Sequence, residues 1–344
     1  MGNNGDFYRF VEPLMTKKQA WLAFGVLALI WGSSYLFIRI GVEQLPPFQL
    51  VFIRTGIAAI GLNIVIYARG KRLPTDRRGI GDLLFLGIVN TVFPFALITW
   101  GEIHIESGLA SVLQGTAALF TLVLAHFTLA DERITLRKLV GLIIGFLGVI
   151  VLANRSTGGE VENVDPTWHL LGQLAILGSS LCYASGGVYS RKVMQNRLDP
   201  MVVAAGAMTV AAIITGIIAY GLPGFAGGAP VALNQLEPAV LGSILTLGIF
   251  NTFGAYLVYY SILATLGAAR TSMVAYVLPV VGLLLGAIFL GERLDASLLL
   301  GALLIIGSIA IVNLDLPALL NKWRGAGSST PAAAEAESHQ PLKR

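Results

Sequence analysis

The sequence predicts an all-α, polytopic membrane protein with ten transmembrane helices arranged as two inverted five-helix repeats. Three observations predict it. The 344-residue chain is 55% hydrophobic and only 12% charged, with a mean hydropathy of +0.76, whereas soluble domains carry about 25% charged residues. Ten stretches are apolar over the roughly 20 residues needed to cross a bilayer. Short motifs also recur half a chain apart, in nearly constant register.

Taken in order, the spans fall at 19–40, 48–68, 80–100, 107–129, 136–153, 168–190, 200–220, 238–260, 269–290 and 296–314. Forty glycines suit such a chain, because glycine is more frequent in membrane helices than in soluble ones. Connections are short, the longest being the Gly-Pro-rich 221–237. The domain organisation expected is a cytoplasmic segment over 1–17, a first five-helix repeat over 18–153 and a periplasmic connector over 154–167. A second repeat over 168–316 and a disordered cytoplasmic tail over 317–344 complete it. The first 16 residues lack the basic, apolar and small-residue layout of a cleavable signal peptide. After Arg324 the sequence has no apolar periodicity, as expected of a disordered tail. The single Cys182 excludes an intramolecular disulfide.

The charges give an orientation. With an even number of spans, both termini share one side. Nineteen of the 23 Lys and Arg residues fall on that side, three (Arg39, Arg155, Arg293) on the other, and Arg54 alone inside a span. By the positive-inside rule both ends are cytoplasmic, in a bacterial-type inner membrane. The pI near 9.2 is therefore a topology signal, and no nucleic-acid partner is expected. The partners expected are the lipid bilayer and a small-molecule substrate.

The repeat rests on three matches. Leu86–Thr91 in span three reads LGIVNT and Leu247–Thr252 in span eight reads LGIFNT. Glu132-Arg133 after span four matches Glu292-Arg293 after span nine, and Trp31 and Arg39 correspond to Tyr183 and Arg191. Five spans is an odd number, so the second half enters the membrane from the opposite side. Inverted repeats of this kind are common among secondary transporters, which rock around a site near the midplane.

Several motifs carry a resemblance. They are WGSS (Trp31 to Ser34), the Pro47-to-Arg54 opening of span two, and WGEIHIESGLASVL (Trp100 to Leu113). The Glu-Arg pairs followed by glycine-bearing spans five and ten belong with them. Over about residues 18–316 the chain resembles the drug/metabolite transporter superfamily, specifically its EamA-type exporters. That resemblance implies a 5+5 fold and a pathway lined by spans one, three, four, six, eight and nine. It suggests outward movement of amino acids or related metabolites. Where the family often has a mid-span proline in span four this chain has Leu119, whereas span nine keeps Pro279, so a hinge role carries over to span nine only.

An ionisable group at membrane depth is a functional hypothesis by default. None of the nineteen acids lies at the midplane, which argues against a central carboxylate relay. Coupling candidates are then rim groups such as Glu102, or His126 near the cytoplasmic end of span four. Arg54 could bind a substrate carboxylate, snorkel outward, or pair with Glu102. The resemblance places span two outside the pathway and so favours a structural Arg54.

Trp21, Trp100, Trp168 and Trp323 sit at span ends, as in an aromatic belt. Trp31 and its counterpart Tyr183 lie near the midplane, as a central site or a packed, hydrogen-bonded helix contact would require. Polar stripes at helical spacing run along span four (Ser111, Gln114), span eight (Thr252, Tyr256, Tyr259) and span nine (Ser272, Tyr276, Pro279). Substrate contact is expected of Trp31, Gln114, Tyr183, Tyr256 and Tyr276. Path shaping is expected of Asn90, Asn251, Pro279, Ser111 and Ser272. The repeated Asn90 and Asn251 would hydrogen-bond across helices first. Gly141 and Gly145 of span five, with Gly301 and Ser308 of span ten, read as close-packing elements or as a subunit contact of a homo-oligomer. The sequence has no HExxH, GxSxG or phosphate-loop motif, so no catalytic residue, metal or cofactor is expected. The expectation is an exporter with a central, uncharged cavity. An importer, a drug or sugar-related permease and a lipid-modifying membrane enzyme are the alternatives.

Overall fold

The computed structural model describes residues 15–128, 134–154, 165–196 and 198–313. Within them the predicted spans form α1 (Lys17–Gly41), α2 (Pro47–Ala68), α3 (Arg77–His104), α4 (Ser107–Thr128), α5 (Leu136–Ala153), α6 (Pro166–Asn196), α7 (Pro200–Gly221), α8 (Pro238–Leu266), α9 (Val274–Phe289) and α10 (Ala296–Asn313). Seven of these are each long and apolar enough to cross a bilayer alone; α9 and α10 are apolar, and α6 runs for 31 residues. Helix starts follow local chemistry. Thr16 and Gln19 form a reciprocal capping box, and Asp76 and Asp199 accept from Gly79 N and Met201 N, each at 3.0 Å. Pro47, Pro200 and Pro238 open α2, α7 and α8, positions whose N–H would lack an intrahelical acceptor anyway. Span nine starts later than the sequence suggests, because a short helix over Ala268–Thr271 ends in a turn at Ser272 and Met273.

The duplication is visible in the backbone. Both copies of the LGI[VF]NT motif loosen into π-helix, over Ile88–Val92 in α3 and Ile249–Gly254 in α8. Single-turn π segments inside α-helices occur frequently at functional sites. Side-chain packing repeats too. The Asn251 amide donates to Ile30 O and to the Ser33 and Ser34 hydroxyls of α1. In the other half, a Cβ on Gly186 of α6 would strike Asn90. Ser34 and Gly186 are themselves related by the offset that relates Trp31 to Tyr183.

Two contacts give the bundle its frame. Helices α2 and α7 lie side by side, with Gly216 against Phe52, Asn63 Nδ2 donating to Thr209 Oγ1 at 2.8 Å, and Lys71 paired with Asp199 at 2.6 Å. Helices α5 and α10 pack through glycine. A Cβ on Gly141 would meet Val312, one on Gly148 would lie 3.0 Å from Gly301 O, and one on Gly301 would meet Leu152. The small-residue face of span five is thus occupied by span ten of the same chain. Adding bulk there forces helices apart at a cost of about 1–3 kcal/mol. Gly145→Leu, which would strike Leu119 and Ser308, should lower the thermal-unfolding midpoint of detergent-purified protein by several degrees. Gly25→Leu faces open space and should leave it unchanged.

A central cavity between the two halves

Between the halves lies a cavity of about 470 Å³, within the range of small-molecule sites. Its shape follows from how α4 and α9 cross. On the side away from the termini they touch closely: a Cβ on Gly282 would overlap Ser111, and one on Gly286 would lie 3.0 Å from Ser107 Oγ. Towards the side bearing Lys17 and Asn313 they diverge, and Ala117 and Ala118 of α4 face the cavity with Ala275 of α9 and Ser272 of the turn before it. The lining continues to Ser190 and Met194 near the end of α6. The cavity lining therefore extends towards the terminal side.

The far side is held shut by polar contacts between halves. Glu292, in the turn before α10, caps the start of α4: its carboxylate oxygens accept from Ser107 N at 2.7 Å and Gly108 N at 2.8 Å. Burial pushes this carboxyl's pKa upward, and the two backbone donors hold it back. Gln49 Nε2 donates to Val231 O at 2.6 Å while its Oε1 accepts from Val231 N at 2.9 Å, and Gln44 accepts from Glu237 N at 2.9 Å. Arg39 Nη1 donates to Glu102 O at 2.6 Å, tying the end of α1 to α3. His104 stacks on Trp168 at 5.2 Å with Trp100 beside it, so two of the expected belt tryptophans meet on this face.

Most residues singled out from sequence converge on the cavity wall. Trp31, Asn90, Ser111, Gln114, Tyr183, Asn251, Tyr256, Ser272 and Pro279 all line it. Trp31 lies 5.4 Å from the Tyr259 ring. Its indole N–H and the hydroxyls of Tyr183 and Tyr256 make no hydrogen bond to the described residues and are not sealed from the space. Gln114 Oε1 accepts from Ser179 Oγ at 2.6 Å, while its Nε2 is buried without a partner among the described residues. Ser111 donates to Gly108 O at 2.7 Å and reaches Pro279 O at 3.4 Å, linking α4 to the proline of α9. The two repeated asparagines diverge: Asn251 is consumed by α1, whereas the Asn90 amide finds no partner among the described residues.

Other expectations are corrected. Tyr276 does not line the cavity and packs instead against the apolar cluster built on α4, α6 and α10; the turn at Ser272 and Met273 resets the helical phase of the predicted stripe. His126 is away from the cavity, and its Nδ1 accepts from Ile134 N at 3.3 Å, tying down the turn before α5. Glu102 is fully buried outside the cavity lining, and both carboxyl oxygens lack a partner among the described residues. Glu132 and Arg133 lie outside the described residues.

The largest correction concerns charge. The cavity is not uncharged, because Arg54 stands in its wall. Spans two and seven both contribute, adding Val203, Ala204 and Ala207 from α7. Arg54 neither snorkels nor pairs with Glu102. It is 7% exposed; its Nε donates to Thr252 Oγ1 at 2.8 Å and its guanidinium lies 4.1 Å over the Phe95 ring. Thr252 is itself anchored to Leu247 O at 2.8 Å. Tyr35 is a further lining residue that the sequence reading missed, although it lies one helical turn from Trp31.

Ten membrane helices in two inverted halves around a central cavity form an architecture common among membrane transporters. The EamA-like transporter family model matches the chain twice, over residues 19–154 and 170–314, and the chain belongs to that family. It is 31% identical to the Escherichia coli (strain K12) protein named uncharacterized inner membrane transporter YedA, over 84% of this chain and 88% of that one. It is 30% identical to an Archaeoglobus fulgidus protein named uncharacterized transporter, covering 85% and 98%. It is 28% identical to the Escherichia coli (strain K12) probable amino-acid metabolite efflux pump, covering 86% and 95%. A crystal structure at 19% identity superposes with a TM-score of 0.60 over 88% of this chain and 99% of its own, a likeness of fold alone. The protein is thus a multi-pass membrane transporter, in keeping with its inner-membrane relatives.

Proposed function

We propose that the protein exports small amphipathic metabolites, amino acids foremost, by alternating access around this cavity, acting as a carrier and not as an enzyme. The observation that carries the reading is the cavity itself. Its aromatic walls suit an apolar body, its unbonded hydroxyl, indole and amide groups suit a polar head, and its lining reaches towards the terminal side while the far side is clasped. The excess of cations on the terminal side supports cytoplasmic termini, which makes this the inward-open state. Export is supported by the relative named as a probable amino-acid metabolite efflux pump.

Trp31, Tyr183, Tyr256 and Gln114 are read as substrate contacts, with Asn90 added on the strength of its unpaired amide. Asn251 and Pro279 shape the path. Counterflow in proteoliposomes preloaded with unlabelled amino acid tests the function. Saturable accumulation of labelled phenylalanine or leucine above protein-free liposomes is expected. Equal rates with and without protein across amino acids and related metabolites would sink the proposal.

A further inference from the structure

We propose that Arg54 is the carboxylate-binding residue of this cavity, so that substrates are recognised by a carboxylate at the deep end and an apolar body against the aromatics. This rests on the transport reading and deepens it by naming the substrate class. Three observations carry it. Arg54 is the only Asp, Glu, Lys, Arg or His in the cavity lining, so the wall itself carries one positive charge and no acid, with the Glu102 carboxyl that acts on Arg54 from a distance buried behind it. A buried cation at membrane depth is costly unless something neutralises it, and Arg54 forms no ion pair with any described residue.

Its orientation is also fixed in advance. Nε is committed to Thr252 Oγ1 at 2.8 Å, and one face of the guanidinium rests 4.1 Å from the Phe95 ring. What remains is the outer edge of the fork. Nη1 and Nη2 make no hydrogen bond to the described residues and are not sealed from the cavity. Two parallel N–H donors match a carboxylate bidentately. No protein acid competes for them, because Glu102 is buried outside the lining and Glu292 is engaged by Ser107 and Gly108. The threonine that holds Nε sits in the π-helical turn of α8, so the repeated LGIFNT motif builds the clamp that aims Arg54.

The cavity should accordingly take carboxylates and reject matched amides and amines. Uptake of labelled phenylalanine, phenylpyruvate, phenylalaninamide and phenethylamine into proteoliposomes tests this, with protein-free liposomes subtracted. Both carboxylates are expected to be carried, and the amide and amine at no more than about a tenth of the rate. Arg54→Gln should lower carboxylate flux about 30-fold or more. Arg54→Lys, which keeps charge but loses the fork, should raise KM several-fold with kcat less affected. Thr252→Val retains Arg54 while releasing Nε, and a several-fold rise in KM for both carboxylates is expected. Its elution profile and unfolding midpoint should match wild type, which keeps the test meaningful if the Arg54 variants fail to fold. Carboxylate and amide carried equally well, or carboxylate flux unchanged in Thr252→Val and Arg54→Gln, would overturn the assignment and leave transport standing. Absence of protein-dependent flux for all four solutes would overturn the transport reading and this inference with it.

Discussion

Trp31→Ala is expected to reduce amino-acid flux at sub-saturating concentration by roughly 10- to 50-fold while the protein still folds. Trp31 lies just before the interruption of α1 at Ser33 and against the Tyr259 ring, with its indole facing the cavity. An aromatic face covering about 80 Å² of substrate contributes about 2 kcal/mol at roughly 25 cal/mol per Å², or about 30-fold in affinity. Tyr183→Ala should have a similar effect from the opposite half, since Tyr183 is the repeat counterpart of Trp31. Tyr183→Phe removes only the hydroxyl and should cost no more than about 1.5 kcal/mol. Initial-rate counterflow reads all three, with elution profile and unfolding midpoint as folding controls. Wild-type kinetics in both alanine variants would return these residues to helix packing.

Glu292→Ala is expected to shift the resting state away from the conformation seen here. Glu292 is the carboxylate that joins the halves on the closed side, and its removal orphans two N–H groups at the start of α4. Loss of a helix N-cap costs about 0.5–2 kcal/mol. Between two states separated by a few kcal/mol, that moves the open-to-closed ratio on the far side by about 2- to 30-fold. An Ala118→Cys reporter in a Cys182→Ser background reads the shift. Ala118 lines the cavity, and Cys182 is the chain's one cysteine. Labelling by an impermeant maleimide from the far side should accelerate by that factor in Glu292→Ala, and much less in Glu292→Gln, which keeps one acceptor. Unchanged far-side labelling would show that the clasp does not hold the gate.

Spans and repeat were legible because both are written in local chemistry. Hydropathy alone sets α2, α4 and α5 to within a residue or two, since a bilayer leaves the backbone no alternative to helix. The duplicated LGI[VF]NT announced the repeat but not the π-helical turns it adopts, because loosening a helical turn leaves no trace in composition. The midplane aromatics were legible for a physical reason, since a polar tip at that depth needs a partner or a cavity. Arg54 was misplaced because the role of a single cation depends on tertiary contacts: Thr252 and Phe95 come from helices that no spacing rule connects to α2. Tyr276 failed for a similar reason, as a stripe drawn at uniform helical pitch does not survive the turn at Ser272. The asparagines show that duplication in sequence does not impose identical use, for Asn251 meets hydroxyls and a carbonyl in α1 where Asn90 meets glycine in α6.

That this cavity is the transport path, exposed to each side in turn, is tested most directly by the accessibility of Ala118→Cys in Cys182→Ser vesicles of both orientations. Modification is predicted from the terminal side at rest. It is predicted from the far side as well once solute turns over, and saturating carboxylate substrate should slow both. A cysteine that labels from one side only, at a rate indifferent to solute, would mark a fixed pocket and contradict the account.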